Sequence, residues 1–388
     1  MTRSICDRAS LRACGEAQTE TMRYTNMNDY TIAAGRLQIG NLQKGAHNLI
    51  TDVAGVTVGH ADVASGDLQT GVTVVMPTPD NVFVNKCVAA AEVINGFGKT
   101  SGTIQIEELG QLESPIALTN TLNVGKVSDA LVAYMLASCE REAVKIQSFN
   151  PVVCECNDSY LNAIEKRVVD EKMVIEAIRS AAAVFEQGAV GGGRGMSCHQ
   201  LKGGIGSASR QFELDGIRYT VGVLVQANYG RLEDLMVAGV PIGSKLRHAI
   251  DAQHDIKSDN AFDPSIDKGS IIIIVATDLP VSHRQLKRML RRTTVGIARV
   301  GGYIGHGSGE IAIGFSTANR IPHVQQSATR DIKLLSENKM DMPFRAVAEA
   351  TEEAVLHALI YADTVVGAEG HCREGLMDAL KKYGVEGF

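Results

Sequence analysis

Four short stretches carry residue types that could do covalent chemistry. Gly269-Ser270 stands directly before Ile271-Ile272-Ile273-Ile274-Val275-Ala276, the most apolar run of the chain. A serine hydroxyl becomes a nucleophile when a neighbouring base takes its proton. It is equally an ordinary turn residue ahead of a buried strand. Downstream, GHGSGE at 305–310 leads into a second apolar run, Ile311 to Ser316. Alternation along a strand puts Ser308 and Glu310 on one face and Ile311, Ile313 and Phe315 on the other. A carboxylate beside a hydroxyl can orient or relay a proton; a solvated strand start would read the same. In Val152–Asp158 (VVCECND), Glu155 and Asn157 share the face opposite Val152. A glutamate near the end of an apolar strand can receive a cationic amine, or simply face solvent. The fourth stretch, GAVGGGRGMSCHQLKGGIG at 188–206, looks at first like a phosphate loop.

That last likeness does not hold. There is no GxxxxGK[ST], and Gly193-Arg194-Gly195 runs into Met196, Ser197 and Cys198 where a dinucleotide fingerprint needs its third glycine. A loop passing close to other backbone is the simpler reading, with a cleft-lining role second. The ten histidines are scattered without HExxH spacing, and no G-x-S-x-G elbow occurs. Cys154 and Cys156 lie on the Val152 face and read as small core residues rather than metal ligands. No metal or organic cofactor is expected.

The elements that would carry these residues are legible in outline. Of 388 residues, 45% are hydrophobic and 21% charged, which suits a globular protein. The net charge of −6 offers no basic excess for a phosphate backbone, so nucleic acid is not an expected partner. No apolar run reaches the roughly 18–20 residues of a membrane helix. Eight dispersed cysteines without a CxxC pair suggest reduced thiols and a cytoplasmic protein, with a periplasmic one as the alternative. Residues 1–25 are expected to be a disordered leader, or to precede a later start at Met22 or Met27. Residues 26–388 are expected to form one domain. Strands are expected over 53–58, 72–76, 115–119, 151–156, 219–226, 271–276 and 311–316. Helices are expected from Ser128 to about Ala143, from Asn162 to Gln187, after Ser282, over 344–361 and over 374–382. Several strands are apolar on both faces and must be covered on both sides. Interleaved strands and helices without a strict repeat indicate a layered α/β (α+β) sandwich.

Assembled in order, these segments resemble the β-aminopeptidases, the L-aminopeptidase/D-Ala-esterase/amidase (DmpA-like) family. The likeness runs from about Asn48 to the last helix. It includes NLITDVAGVTVGH at 48–60, NGFGKTSGTIQIEELG at 95–110, SPIALTNTLNVG at 114–125, VLVQANYG at 223–230, KGSIIIIVATDLP at 268–280 and SGEIAIGFSTAN at 308–319, besides PVVCECND and the glycine-rich segment. The resemblance implies a four-layer αββα sandwich like that of N-terminal-nucleophile hydrolases, with different strand connectivity. It implies self-cleavage between Gly269 and Ser270 into chains 1–269 and 270–388. Ser270 then becomes the nucleophile, Ser308 and Glu310 its catalytic partners, Asn228 an oxyanion donor, and Glu155 the receptor for the substrate's amino group. Where some members have tyrosine this chain has Asn157, which leaves the choice among D-, L- and β-aminoacyl substrates open. A homo-oligomer of processed units, typically four, acting on short peptides, amides or esters is implied as well. Two other readings stand beside it: a self-processing acyltransferase of the ornithine acetyltransferase type, and an uncleaved, non-catalytic ligand-binding oligomer.

Overall fold

The computed structural model describes residues 30, 33–253 and 269–386. The expected leader over 1–25 and the polar stretch 260–267 lie outside the described residues.

Two sheets face each other. The larger has six strands in the order β4 (Gln111–Leu112), β3 (Asn85–Gly96), β12 (Gly309–Pro322), β11 (Ser270–Thr277), β10 (Ile217–Asn228) and β9 (Gly204–Leu214). The smaller has β1 (Thr57–Ser65), β2 (Leu68–Met76), β5 (Ile116–Asn120) and β6 (Val152–Cys156) in that order. Between β6 and β9 lies a small ribbon of β7 (Ser197–Cys198) and β8 (Leu201–Lys202). The helix Asp341–Ile360 lies across β9 and β10, and the helices His283–Leu290 and Thr293–Arg299 complete that outer layer. The helices Val124–Arg141 and Glu171–Arg179 cover the smaller sheet. The order helix, sheet, sheet, helix is the four-layer sandwich expected from the sequence.

Strand β11 shows why residues 271–276 had to be uniformly apolar. Ile271, Ile273 and Val275 join the core against the outer helices. Ile272, Ile274 and Ala276 join the core between the sheets, with Cys154, Cys156, Ile311, Ile313 and Phe315. A third core, including Val153, Val127 and Val174, lies under the helices of the smaller sheet. At roughly 25 cal/mol per Å² of apolar area, such two-sided burial dominates the stability of the sheet.

Some elements differ from the sequence reading, each for a local reason. Residues 53–58 are not one strand: Ile50–Asp52 is a 3-10 turn, and β1 begins only at Thr57. The expected helix over 162–187 shrinks to Glu171–Arg179. Asn162 is held by Asp158 at its start, Asp170 caps the helix, and Ala182 is drawn into a bridge with Val58. The helix expected from Ser128 begins one turn earlier, because the Asn120 side chain already caps the preceding 3-10 turn. Ser282 forms the expected N-terminal cap, with Gln285 closing a capping box.

Between Asp341–Ile360 and β9 lies an ionic cluster out of contact with water. Arg210 donates to Glu349 at 3.3 Å and to the carbonyls of Ser209 and Ile39, and it forms an ion pair with Glu353 at 2.6 Å. Arg210 and both carboxylates are buried. Removing Arg210 leaves two buried carboxylates with only the partly exposed Lys44 and Arg345 as counter-charges, and two buried carbonyls without their donor. Arg210→Met should therefore lower stability by about 3–5 kcal/mol in denaturant unfolding. A loss below about 1 kcal/mol would mean that the cluster does not tie this helix to the sheet.

Candidate active site

The site is set by strand register. Asn228 pairs with Ser270 across the antiparallel β10–β11 ladder, and Ser270 pairs with Gly309 across the parallel β11–β12 ladder. Asn228, Ser270 and Gly309 thus stand in one row at the end of three adjacent strands. Residues in register share a face. Leu224 and Ile272 place that face between the two sheets, where the Gln226 amide donates to the Thr119 carbonyl of the smaller sheet.

Gly269 has almost no room. A Cβ there would sit 2.3 Å from the Tyr229 Cα and 2.4 Å from the Asn228 carbonyl oxygen. Its own carbonyl accepts a hydrogen bond from the Gly309 amide at 3.1 Å. The bond that a Ser270 hydroxyl would attack is therefore already polarised by a backbone N–H. Gly309 is glycine for a related reason: its Cβ would lie 2.6 Å from the Phe97 carbonyl oxygen and 3.3 Å from the Ser270 hydroxyl.

Asn228 is oriented without ambiguity. The Ser197 amide donates to its Oδ1 at 2.8 Å, and its Nδ2 donates to the Asn157 carbonyl at 3.0 Å. An N–H can only donate, so the amide can face only one way round. Nδ2 carries two hydrogens, and the Asn157 carbonyl takes one. Asn157 contributes through this carbonyl, while its side chain accepts from the Ser159 amide at 2.9 Å and closes its own turn. The two residues line a cavity of about 260 Å³ together with Ser159, Ser197, Gly269 and Arg373.

Ser308 and Glu310 are both buried, and the serine hydroxyl donates to the Glu310 carboxylate. They share a face, as the alternation required. That face is the one of Ala312, toward the outer helices, whereas Ser270 lies on the face of Ile272. The pair and the Ser270 hydroxyl thus occupy opposite faces at the ends of neighbouring strands.

Glu155 is the last residue but one of β6 in the smaller sheet and is buried. Its Oε1 accepts from the Lys99 amide at 2.9 Å, and its Oε2 accepts from the Thr121 hydroxyl. The segment 97–99 connects it to the row. A Cβ on Gly98 would lie 3.5 Å from the Glu155 carboxylate and 3.3 Å from Ile311, while Phe97 abuts Gly309. Phe97, Lys99 and Thr121 lie in NGFGKTSG and SPIALTNTLNVG, segments whose sequence alone pointed to no site role. Backbone amides and carbonyls carry no signature of residue type, so only Thr121 offered a signal.

Cys154 and Cys156 are inert core residues. Burial pushes the Cys154 thiol up to about 12 and the Cys156 thiol well above its usual value. Among the described residues no group of three or more His, Cys, Asp or Glu is arranged to hold a metal.

Residues 48–373 match the family described as Peptidase family S58. The chain belongs to peptidase family S58. It is 38% identical over 359 residues to the beta-peptidyl aminopeptidase BapA of Sphingosinicella microcystinivorans, covering 87% of this chain and 89% of the relative. A Burkholderia sp. beta-aminopeptidase structure matches with a TM-score of 0.80 and 39% identity, over 92% of this chain and 99% of that one. The L-aminopeptidase D-Ala-esterase/amidase of Ochrobactrum anthropi matches with a TM-score of 0.77 and 33% identity, over 89% and 96%. That structure is described as a prototype for the serine aminopeptidases and a new variant of the Ntn hydrolase fold. The present S58 chain is accordingly a serine-type aminopeptidase with an Ntn-like fold. The family resemblance read from the sequence holds.

Asp158 anchors the turn that carries Asn157. It is buried and accepts from Thr70 at 2.6 Å, and from Asn120 and Asn162 at 3.1 Å each. Burial raises its pKa to about 6, partly offset by these hydrogen bonds. A folded pKa above the unfolded value means that the native state holds the proton more tightly. Stability therefore falls as pH rises from about 4 to about 6, then levels off, a loss of about 3 kcal/mol. Asp158→Asn should flatten this slope, as read from unfolding midpoints between pH 4 and 7.5. An unchanged slope would place the titration elsewhere.

Proposed function

We propose that this aminopeptidase cuts itself between Gly269 and Ser270, and that the new terminus removes single residues from the amino ends of short peptides, amides or esters. The row Asn228–Ser270–Gly309, joined to Glu155 by the segment Phe97–Lys99, is the observation that carries this reading.

In the intact chain the Ser270 hydroxyl adds to the Gly269 carbonyl, which the Gly309 amide polarises. Collapse breaks the C–N bond, leaving the Gly269 acyl group as an ester on Ser270 and the nitrogen as an amine. Water hydrolyses the ester, giving chains 1–269 and 270–388. The freed amine has a pKa near 7.7–8.0, so an appreciable neutral fraction exists at physiological pH. It takes the hydroxyl proton as Ser270 attacks the substrate carbonyl. Ser308, fixed by Glu310, steadies that amine; its place on the other face argues against direct contact with the hydroxyl. The second N–H of Asn228 stabilises the developing oxyanion, an interaction worth about 3–4 kcal/mol in comparable sites. The amine returns its proton to the leaving group, and water releases the acyl residue.

Glu155 selects the substrate. A buried carboxylate with two fixed donors has lone pairs left for an ammonium, and a blocked terminus would leave its charge unpaired. The names of the S58 relatives support β-aminoacyl and D-alanyl substrates as the first to test. A homotetramer of processed units is part of this reading, supported by the exposed apolar side chains of Phe97, Ile104 and Tyr303. So is a cytoplasmic location, supported by buried thiols such as Cys87, Cys154 and Cys156, which form no disulfide. Among the described residues no helix is long and apolar enough to cross a membrane.

Ser270→Ala should remain a single band of 41.4 kDa on denaturing electrophoresis, without turnover, where the parent gives two. A cut or active variant would remove Ser270 from both roles. With β-alanyl p-nitroanilide as substrate, N-acetylation should abolish turnover, and Glu155→Gln should raise KM at least about 10-fold. Equal rates on free and acetylated substrates would dismiss Glu155 as the amine receptor.

A further inference from the structure

The glycine-rich segment 188–206 closes around a lysine that takes no part in the chemistry above. Lys202 is among the largest fully buried side chains. Its Nζ donates to the carbonyls of Gly193 at 3.0 Å, Met196 at 2.8 Å and Gly203 at 2.6 Å. Three acceptors match the three N–H bonds of an ammonium. Burial and the nearby Arg194 pull its pKa well below the usual lysine value; the three carbonyls are the contacts that favour the protonated form.

The glycines admit this arrangement. A Cβ on Gly193 would lie 2.5 Å from the Ile205 amide nitrogen, and one on Gly203 would lie 2.5 Å from the Ala227 carbonyl oxygen. The folded loop then grips the end of β10. The Ser197 amide donates to the Asn228 side chain, and the His199 amide donates to the Tyr229 carbonyl at 2.6 Å. The His199 ring fills the place of a Cβ on Gly230, and its Nδ1–H donates to the Arg231 carbonyl at 2.8 Å. Met196, whose carbonyl binds the ammonium, directly precedes Ser197, whose amide sets the asparagine.

We infer that Lys202 is a positioning residue for catalysis: its ammonium ties three loop carbonyls together so that the Ser197 amide holds Asn228 in the orientation that serves the oxyanion. The inference rests on the proposed role of Asn228. It assigns a purpose to a buried charge that ordinary core packing would avoid.

The test is a double-mutant cycle with Lys202→Met, Lys202→Gln and Asn228→Ala, each alone and with a lysine variant joined to Asn228→Ala. Rates on β-alanyl p-nitroanilide are taken per cleaved molecule, and folding is checked by circular dichroism. Lys202→Met should lower kcat by about 10–100-fold, with KM within about 3-fold, because a misplaced donor is felt in the transition state. Lys202→Gln, which keeps two donors, should recover part of that loss. In the Asn228→Ala background the lysine change should cost less than about 3-fold more, since the group it positions is gone. Additive losses would overturn the inference, as would an effect on KM alone. Failure of both lysine variants to fold would overturn it too, making Lys202 a folding element. If Asn228→Ala alone left kcat unchanged, the proposed oxyanion role would fall first, and the cycle would show that separately.

Discussion

The proposed chemistry depends on one constraint, the register that brings Asn228, Ser270 and Gly309 level at the ends of three adjacent strands. Side chains on a strand alternate with a period of two, so a slip of one residue would turn each of them to the other face. Two apolar cores prevent the slip. Ile271, Ile273 and Val275 are committed to one, and Ile272, Ile274 and Ala276 to the other. The unbroken apolar run after Ser270 is thus the device that aims the serine.

A parallel pair beside an antiparallel pair gives the row its asymmetry. On the β12 side the Gly309 amide meets the Gly269 carbonyl, so the backbone itself supplies a donor. On the β10 side the strand ends at Asn228, and a side-chain amide supplies the donor instead. That amide is held at both ends by backbone groups, the Ser197 N–H and the Asn157 carbonyl. Pre-set dipoles of this kind need no reorganisation during reaction, which is where much of their catalytic value lies. Asn157 and Ser197 belong to separate segments, so both the smaller sheet and the glycine-rich loop must be in place first.

The carboxylates divide by environment. Glu155 has a donor on each oxygen, the Lys99 amide and the Thr121 hydroxyl. Glu310 has the Ser308 hydroxyl and faces the outer helices. Asp158 is enclosed by three neutral donors and belongs to the scaffold. Glu349 and Glu353 serve a different end, pairing with Arg210 to lock the longest helix onto β9. Only the partners around each of these buried acids distinguish them.

The sequence alone determined the layered class, the doubly buried strand after Ser270 and the cap at Ser282. It also determined the alternation that joins Ser308 to Glu310 and separates Glu155 from the cysteines. These follow from periodicity and local propensity, which act over a few residues. The shared order of many motifs carried the family as well. Tertiary structure decided that the run 162–187 breaks into a short helix, because Asp158 and Val58 claim its two ends. It placed Ser308 and Glu310 on the face opposite the Ser270 hydroxyl, and gave the Asn157 side chain to its own turn. It also turned the glycine-rich segment into a clamp around Lys202. Each of these depends on atoms far apart in the chain, many of them backbone N–H and C=O groups common to nearly every residue, and so invisible until the chain has folded.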